Sequence, residues 1–279
     1  MTDRKPNLIF LHMPKSGGTT MLHLISWNYS NPFIINHYDQ IPPFIAQPDD
    51  AKRKVDAIGG QIHFGIHEYM PQPMTYITLL RNPAERLLSI YYYTMDRRRA
   101  EKLPNPDSTF EEFLEQEPFQ AEMQLRLLLG GPTMDDTLHK PLPGDTLAQA
   151  QQRIEAHFTV AGVMDYYDES LVMMKHRLGW SRAYYAKRNI NTKRPTGRDV
   201  PETTRKLAEK LTETETELYE WIKQRQAVEI AVMRDVIDTE VAQLRRMNRR
   251  FQFWYDLAEP LRGTPLWNAV RETGKRLVR

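Results

Sequence analysis

Short apolar runs and helix-period stripes alternate through the first two thirds of the chain. Residues 7–12 (NLIFLH) are apolar and of strand length, and MLHLISW spaces its apolar residues as a helix does. MTYITLLR at 74–81 reads as a strand, because Tyr76, Ile77, Thr78 and Leu79 favour extended backbone. NPAERLLSIYYY continues as a helix, with Pro83 suited to its first turn and Leu87, Leu88 and Tyr91 on one face. DAIGGQIHF at 56–64 reads as a strand weakened by Gly59 and Gly60, and HFTVAGV at 157–163 as another. DESLVMMKHRLGW at 168–180 predicts a helix with Asp168 as N-cap and Gly179 at its end. Ser108 or Thr109 caps a short helix through Glu111 and Glu112. Residues 31–49, with four prolines, and residues 130–146 read as loops. Strands alternating with helices predict an α/β fold: a three-layer α/β/α core around a mostly parallel sheet.

The last third changes character. From Pro201 to Pro260 the chain is helix-compatible, which divides it into an α/β core over 1–200 and a helical extension over 201–279. Thr212 followed by Glu215 has the spacing of a capping box. One straight helix over 213–258 would be about 69 Å long, so a break or a projecting arm is expected. Ile230, Met233, Ile237, Val241, Leu244, Phe251 and Trp254 recur mostly at three- and four-residue steps. Such a stripe packs on the chain's own core or, alternatively, forms a homodimer seam; fewer than four clean heptads favour the first.

Composition narrows the function. The chain has 279 residues, 41% hydrophobic and 27% charged, as an ordinary globular protein does. Lys+Arg is 38 against 36 Asp+Glu, a net charge of +2, which does not mark a nucleic-acid binder. The absence of cysteine excludes disulfides, thiolate metal sites and cysteine nucleophiles. No apolar run has the length of a membrane span, so a cytoplasmic protein is the expectation.

The chemistry concentrates after two strands. Lys15-Ser16-Gly17-Gly18-Thr19-Thr20 lies between a strand and a helix start, where glycines let backbone N–H groups approach an anion and the helix dipole favours negative charge. The lysine precedes both glycines, so this is not a Walker A loop. Arg81 follows the strand MTYITLL, with Arg86 and Ser89 on the next helix. Strand ends of a parallel sheet line the ligand crevice, and an arginine there can grip a phosphate bidentately. A magnesium-dependent hydrolase would place an acid at such a strand end; the arginine implies a nucleotide neutralised by protein cations.

FLHMPKSGGTT (10–20) resembles the 5′-phosphosulfate loop of the sulfotransferases, and YITLLRNPAERLLSIYYY (76–93) their 3′-phosphate-binding strand and helix. The nearest likeness is to the branch with heparan sulfate 2-O-sulfotransferase and many bacterial relatives. GGQIHFGIHE (59–68), residues 160–180 and NINTKRP (189–195) resemble further family segments. The resemblance implies 3′-phosphoadenosine 5′-phosphosulfate (PAPS) as donor, with no metal, and sulfuryl transfer to a hydroxyl of a glycan or other small molecule. It implies that Lys15 neutralises the leaving phosphate oxygen. Ser16, Gly17, Gly18, Thr19 and Thr20 would surround the 5′-phosphosulfate, and Arg81 and Ser89 would hold the 3′-phosphate.

The base departs from the family pattern. Where the family segment has a histidine after the glycine, this chain has Gln61, which cannot take a proton. His63 and His67 are the catalytic candidates, and His12 on the phosphate loop is a third. A metal at His63 and His67 lacks further ligands at useful spacing. Gln61 leaves a catalytically inactive nucleotide-binding scaffold open, and a P-loop kinase is the remaining reading. Arg245, Arg246, Arg249 and Arg250, with Arg271, Lys275, Arg276 and Arg279, form a solvated face or a contact for an anionic acceptor or membrane surface.

Overall fold

The computed structural model describes residues 5–186, 200–258 and 261. NINTKRP and the basic residues from Arg271 onward lie outside the described residues. The elements in the first half are β1 (Leu8–Leu11), α1 (Gly18–Asn28), β2 (Pro32–Ile35), α2 (Ile41–Ile45), α3 (Asp49–Lys52), β3 (Ala57–Gly60), β4 (Thr75–Leu80) and α4 (Pro83–Glu101). Then follow α5 (Phe110–Gln116), α6 (Met123–Leu129), α7 (Met134–His139), α8 (Thr146–His157), β5 (Phe158–Val163), α9 (Tyr167–Leu178), α10 (Glu202–Leu211), α11 (Glu213–Val232) and α12 (Arg234–Ala258).

The described strands form one parallel sheet in the order β2-β3-β1-β4-β5. Successive side chains of a strand point to opposite faces, and β1 shows the consequence. Leu8 and Phe10 join the core beneath α1, α9 and α12, whereas Ile9 and Leu11 join the core beneath α6, α8 and α11. All four are buried, as a sheet covered on both faces requires. The expected three-layer α/β/α architecture is therefore present.

Two loop expectations are corrected. Residues 31–49 hold β2, whose Pro32 opens an edge strand where a missing N–H costs no ladder bond, then the short helix α2 and the first residue of α3. Residues 130–146 hold α7, started by Thr133, whose hydroxyl accepts from the Asp136 N–H. Gly59 and Gly60 do not weaken β3 but permit its packing. A Cβ at Gly59 would lie 2.8 Å from Leu22 of α1, and one at Gly60 (φ 131°) would lie 2.0 Å from the Ile35 carbonyl oxygen of β2. Thr109 forms the expected cap with Glu112. Asp168 is not the N-cap of α9; it lies in the first turn, bound by Arg245 at 2.8 Å and by the Tyr185 hydroxyl at 2.9 Å.

The helices beyond residue 200 complete the core layers. The long helix breaks at Met233. Ile237, Val241, Leu244 and Phe251 are buried in the chain's own core, with Ile230, Met233 and Trp254 packed against it, so this stripe is not a free dimer seam. The α11 helix is tied to β5: Gln226 Oε1 accepts from the Val163 N–H at 2.9 Å, and the Tyr219 hydroxyl donates to Asp165 at 2.7 Å. Thr212 and Glu215 do not form a capping box; the Thr212 hydroxyl donates back to the Ala208 carbonyl and Glu215 points into the core. No helix among the described residues is long and apolar enough to cross a membrane.

Gly60→Ala should destabilise the fold by at least about 2 kcal/mol, because a Cβ meets backbone rather than a movable side chain and φ lies in a region L-residues avoid. Urea unfolding measures it. An unchanged midpoint would mean that β2 yields without cost.

Candidate active site

The carboxyl ends of parallel strands share one edge, and the chain turns there into its loops. His12 follows β1, Gln61 follows β3 and Arg81 follows β4, each one residue past the strand. All three line one crevice of about 890 Å³, together with Lys15, Gly17, Gly18, Thr19 and Thr20 of the loop and Ser89 and Tyr93 of α4. The chain leaves β1 toward β2 and β3 on one side, and leaves β4 toward β5 on the other, so the crevice opens at a topological switch point.

The loop is shaped for an anion. Lys15 (φ 69°) and Gly17 (φ 75°) both take left-handed conformations, a sequence of turns that brings successive N–H groups toward one side. For lysine this conformation is strained, and such strain concentrates at functional sites. Gly17 starts α1 without any side-chain cap, and no acidic residue occupies the first turn. The Ser16 hydroxyl is buried without a hydrogen-bond partner. Gly18 is obligatory in a different way: a Cβ there would lie 1.8 Å from Nε2 of His12, so its absence lets the imidazole pack on the loop.

Helix α4 lines the same crevice with Ser89, Tyr93 and Arg97 at four-residue steps. The Lys15 ammonium sits 4.1 Å from the centroid of the Tyr93 ring. Arg81 donates from Nε and Nη2 to the exposed Glu85 at 3.3 and 3.2 Å. An exposed pair of this kind contributes little, so an incoming phosphate can compete for the guanidinium. Arg97 and Arg98 also line the crevice but are paired with Glu101 and Glu117. Arg86, by contrast, is fully buried beneath the site, 3.9 Å from Glu215.

The structure does not bring His63 or His67 to the crevice. His63 is buried, with Nδ1 2.8 Å from the Phe64 carbonyl oxygen and Gly130 packed close to it. His67 bonds the Tyr76 hydroxyl at 3.0 Å and stacks near His157. Tyr76 is the second residue of β4 and Phe158 the first of β5, so His67 sits at the amino edge of the sheet. The strand between Tyr76 and Leu80 separates it from the crevice by about 13 Å at ~3.3 Å per residue. Burial lowers the proton affinity of both histidines. Among the described residues, the crevice's histidine is His12, whose pKa is pushed down to about 4 by burial and, secondarily, by the Lys15 charge. It is therefore neutral at pH 7. No group of three or more His, Asp or Glu suited to a metal occurs among the described residues.

Lys15 and Arg81 thus line one crevice at the carboxyl edge of a parallel α/β sheet, and the comparisons specify the family. The family model of the galactose-3-O-sulfotransferases matches residues 5–256. The chain belongs to this family, which bears out the sulfotransferase resemblance. It is 25% identical over 209 residues to galactose-3-O-sulfotransferase 3 of Mus musculus, covering 67% of this chain and 46% of that protein. The chain thus spans less than half the length of that curated relative. Among solved structures, a sulfotransferase from Alicyclobacillus acidocaldarius aligns with a TM-score of 0.46 and 13% identity, over 78% of this chain and 95% of that one. Mouse sulfotransferase SULT7A1 complexed with PAP aligns with a TM-score of 0.38 and 16% identity, over 65% and 62%.

The buried His12 makes stability depend on pH. Unfolded, its imidazole takes a proton near the ordinary 6.5, but folded only near 4. The neutral ring therefore favours the fold above about pH 6.5, and up to about 3 kcal/mol of that is lost as pH falls through 4. Urea midpoints at pH 7 and 4.5 should fall further for the wild type than for His12→Asn. Equal falls would show that His12 protonates freely in the folded state.

Proposed function

We propose that the protein is a PAPS-dependent sulfotransferase acting on a hydroxyl of a carbohydrate or small metabolite. The observation that carries this reading is that Lys15, Arg81 and Ser89 line the same crevice. Family membership supports the reaction class and weighs against a magnesium-dependent kinase or a donor-binding scaffold. When bound, the donor supplies a sulfuryl group attached to a phosphate leaving group. The loop fits such an anion, since no side chain caps the start of α1 and the buried Ser16 hydroxyl has no hydrogen-bond partner among the described residues.

Each residue then has a physical task. Lys15 brings a full positive charge to the loop, where it would offset charge building on the leaving oxygen. Ser16, Gly17, Gly18, Thr19 and Thr20 hold the phosphosulfate end, largely through backbone N–H groups. Arg81 and Ser89, across the crevice, hold the 3′-phosphate. His12 takes the role that Gln61 cannot fill. It is neutral, and anionic phosphates nearby would raise its proton affinity, so it can accept the acceptor's hydroxyl proton. Gln61, on the crevice wall, can orient that hydroxyl through hydrogen bonds.

Lys15→Ala should lower turnover by about a hundredfold or more while leaving the unfolding midpoint near that of the wild type. Turnover within about twofold of wild type would reject the assignment. Arg81→Ala should weaken binding of 3′,5′-diphosphoadenosine by about 10- to 100-fold in calorimetry, the loss of one charge-assisted phosphate contact. His12→Asn should bind that nucleotide within a few-fold of wild type yet fail in single-turnover transfer across an acceptor panel. Full transfer by this variant would remove His12 from proton transfer.

A further inference from the structure

Arg81 stands one residue beyond the last ladder position of β4, where a strand end ordinarily gains freedom. Here a side chain continues the ladder. Gln124 is fully buried in the first turn of α6, and its amide meets the Arg81 peptide on both sides. Gln124 Oε1 accepts from the Arg81 N–H at 3.0 Å, and Nε2 donates to the Arg81 carbonyl oxygen at 3.1 Å. This is the hydrogen-bond pair that a neighbouring strand would supply.

Gln124 is itself held by a residue 91 positions away. Glu215 of α11, also buried, accepts at Oε2 from Gln124 Nε2 at 3.2 Å. Its Oε1 accepts from the Gln124 N–H and, at 3.1 Å, from the Leu125 N–H. The α6 helix has no side-chain cap of its own at Glu122, so Glu215 serves as a long-range cap. Arg86, on the helix that begins just after Arg81, lies 3.9 Å from the same carboxylate and also donates to the Gln120 carbonyl oxygen.

We infer that Gln124 and Glu215 are positioning residues that hold the Arg81 backbone so that its guanidinium faces the crevice, and that they thereby set recognition of a 3′-phosphate. Neither is itself among the residues that line the crevice. Gln124 acts through the Arg81 peptide, and Glu215 acts through Gln124 and through Arg86 of α4, the helix that carries Ser89, so the effect falls on the 3′-phosphate rather than on the loop around Lys15. This inference rests on the assignment of Arg81 to the 3′-phosphate.

The test compares 3′,5′-diphosphoadenosine with adenosine 5′-monophosphate, which lacks the 3′-phosphate, by calorimetry on the full chain. The ratio of their dissociation constants measures 3′-phosphate recognition. Gln124→Met keeps length and volume but removes both bonds to Arg81, and should cut that ratio about five- to tenfold, while the monophosphate constant moves less than about twofold. Glu215→Gln should lower the ratio in the same direction by a smaller factor, and it carries the test if Gln124→Met does not fold. A purely structural role would weaken both nucleotides alike, or neither, and either result overturns the inference. If the wild type itself does not distinguish the two nucleotides, the Arg81 assignment fails. If the wild type does and Arg81→Ala does not, but Gln124→Met keeps the full ratio, the positioning inference alone fails.

Discussion

A parallel sheet sends every strand's carboxyl end to the same edge, and the pairing of β1 with β4 sets what meets there. Leu8, Ile9, Phe10 and Leu11 align with Thr75, Tyr76, Ile77 and Thr78, and the Thr78 hydroxyl donates to the Leu11 carbonyl oxygen at 2.8 Å inside the core. That register decides how far the phosphate loop lies from the turn bearing Arg81. A one-residue slip would reverse every side chain of β4 between the two cores, placing Tyr76 and Leu80 beneath α1 in place of Ile77 and Leu79. The two cores and the crevice are thus products of one alignment, and the site cannot be disturbed at this depth without disturbing the fold.

Among the described residues the crevice gathers four cationic side chains, Lys15, Arg81, Arg97 and Arg98. Net charge is nearly balanced, so a site for a highly anionic nucleotide must come from local arrangement. Arg97 and Arg98 line the crevice but have carboxylates of their own. The Lys15 ammonium rests on the face of Tyr93, 4.1 Å from the ring centroid. The Arg81 guanidinium is paired with Glu85, whose side chain is 64% exposed, a partner that solvent screens. Lys15 and Arg81 thus bring two cationic side chains to one crevice.

The legible parts of the sequence are those whose meaning is local. The loop Lys15–Thr20 and the strand–Arg81–helix unit each fit in about twenty residues, and both elements formed where the hydrophobic pattern placed them. Thr109 capped its helix because its partner, Glu112, is three residues away. Other features depend on position in three dimensions. His67 follows β3 in sequence, but the chain crosses toward the amino edge before β4 begins, and His63, two residues from Gln61, turns into the interior against Phe64 and Gly130. His12 carried no stronger signal than either, apart from lying one residue past β1 and four before Ser16. Thr212 and Glu215 have the spacing of a cap, but the carboxylate finds the N–H groups of Gln124 and Leu125 instead, on a helix the local pattern cannot name. Gln124 itself had no signal, since one glutamine in MQLRLLL looks like any polar interruption of an apolar run.

The buried Glu215 also bears on how the helices beyond residue 200 relate to the core. Burial raises the proton affinity of its carboxyl, Arg86 opposes that, and neither partner is exposed. A buried pair at 3.9 Å is a poor source of stability, because desolvating two charges costs about what their attraction returns, and an apolar replacement is often no less stable. Direction is what an apolar replacement would not reproduce. A leucine could fill the space, but it could not accept two N–H bonds from the start of α6 or fix the amide plane of Gln124. The carboxylate therefore makes sense as an orienting group, and its place on α11 makes that helix part of the crevice's framework rather than an appendage. Cutting the chain near residue 200 would remove this framework while leaving both phosphate motifs intact in sequence, so intact motifs alone are not sufficient for an intact site.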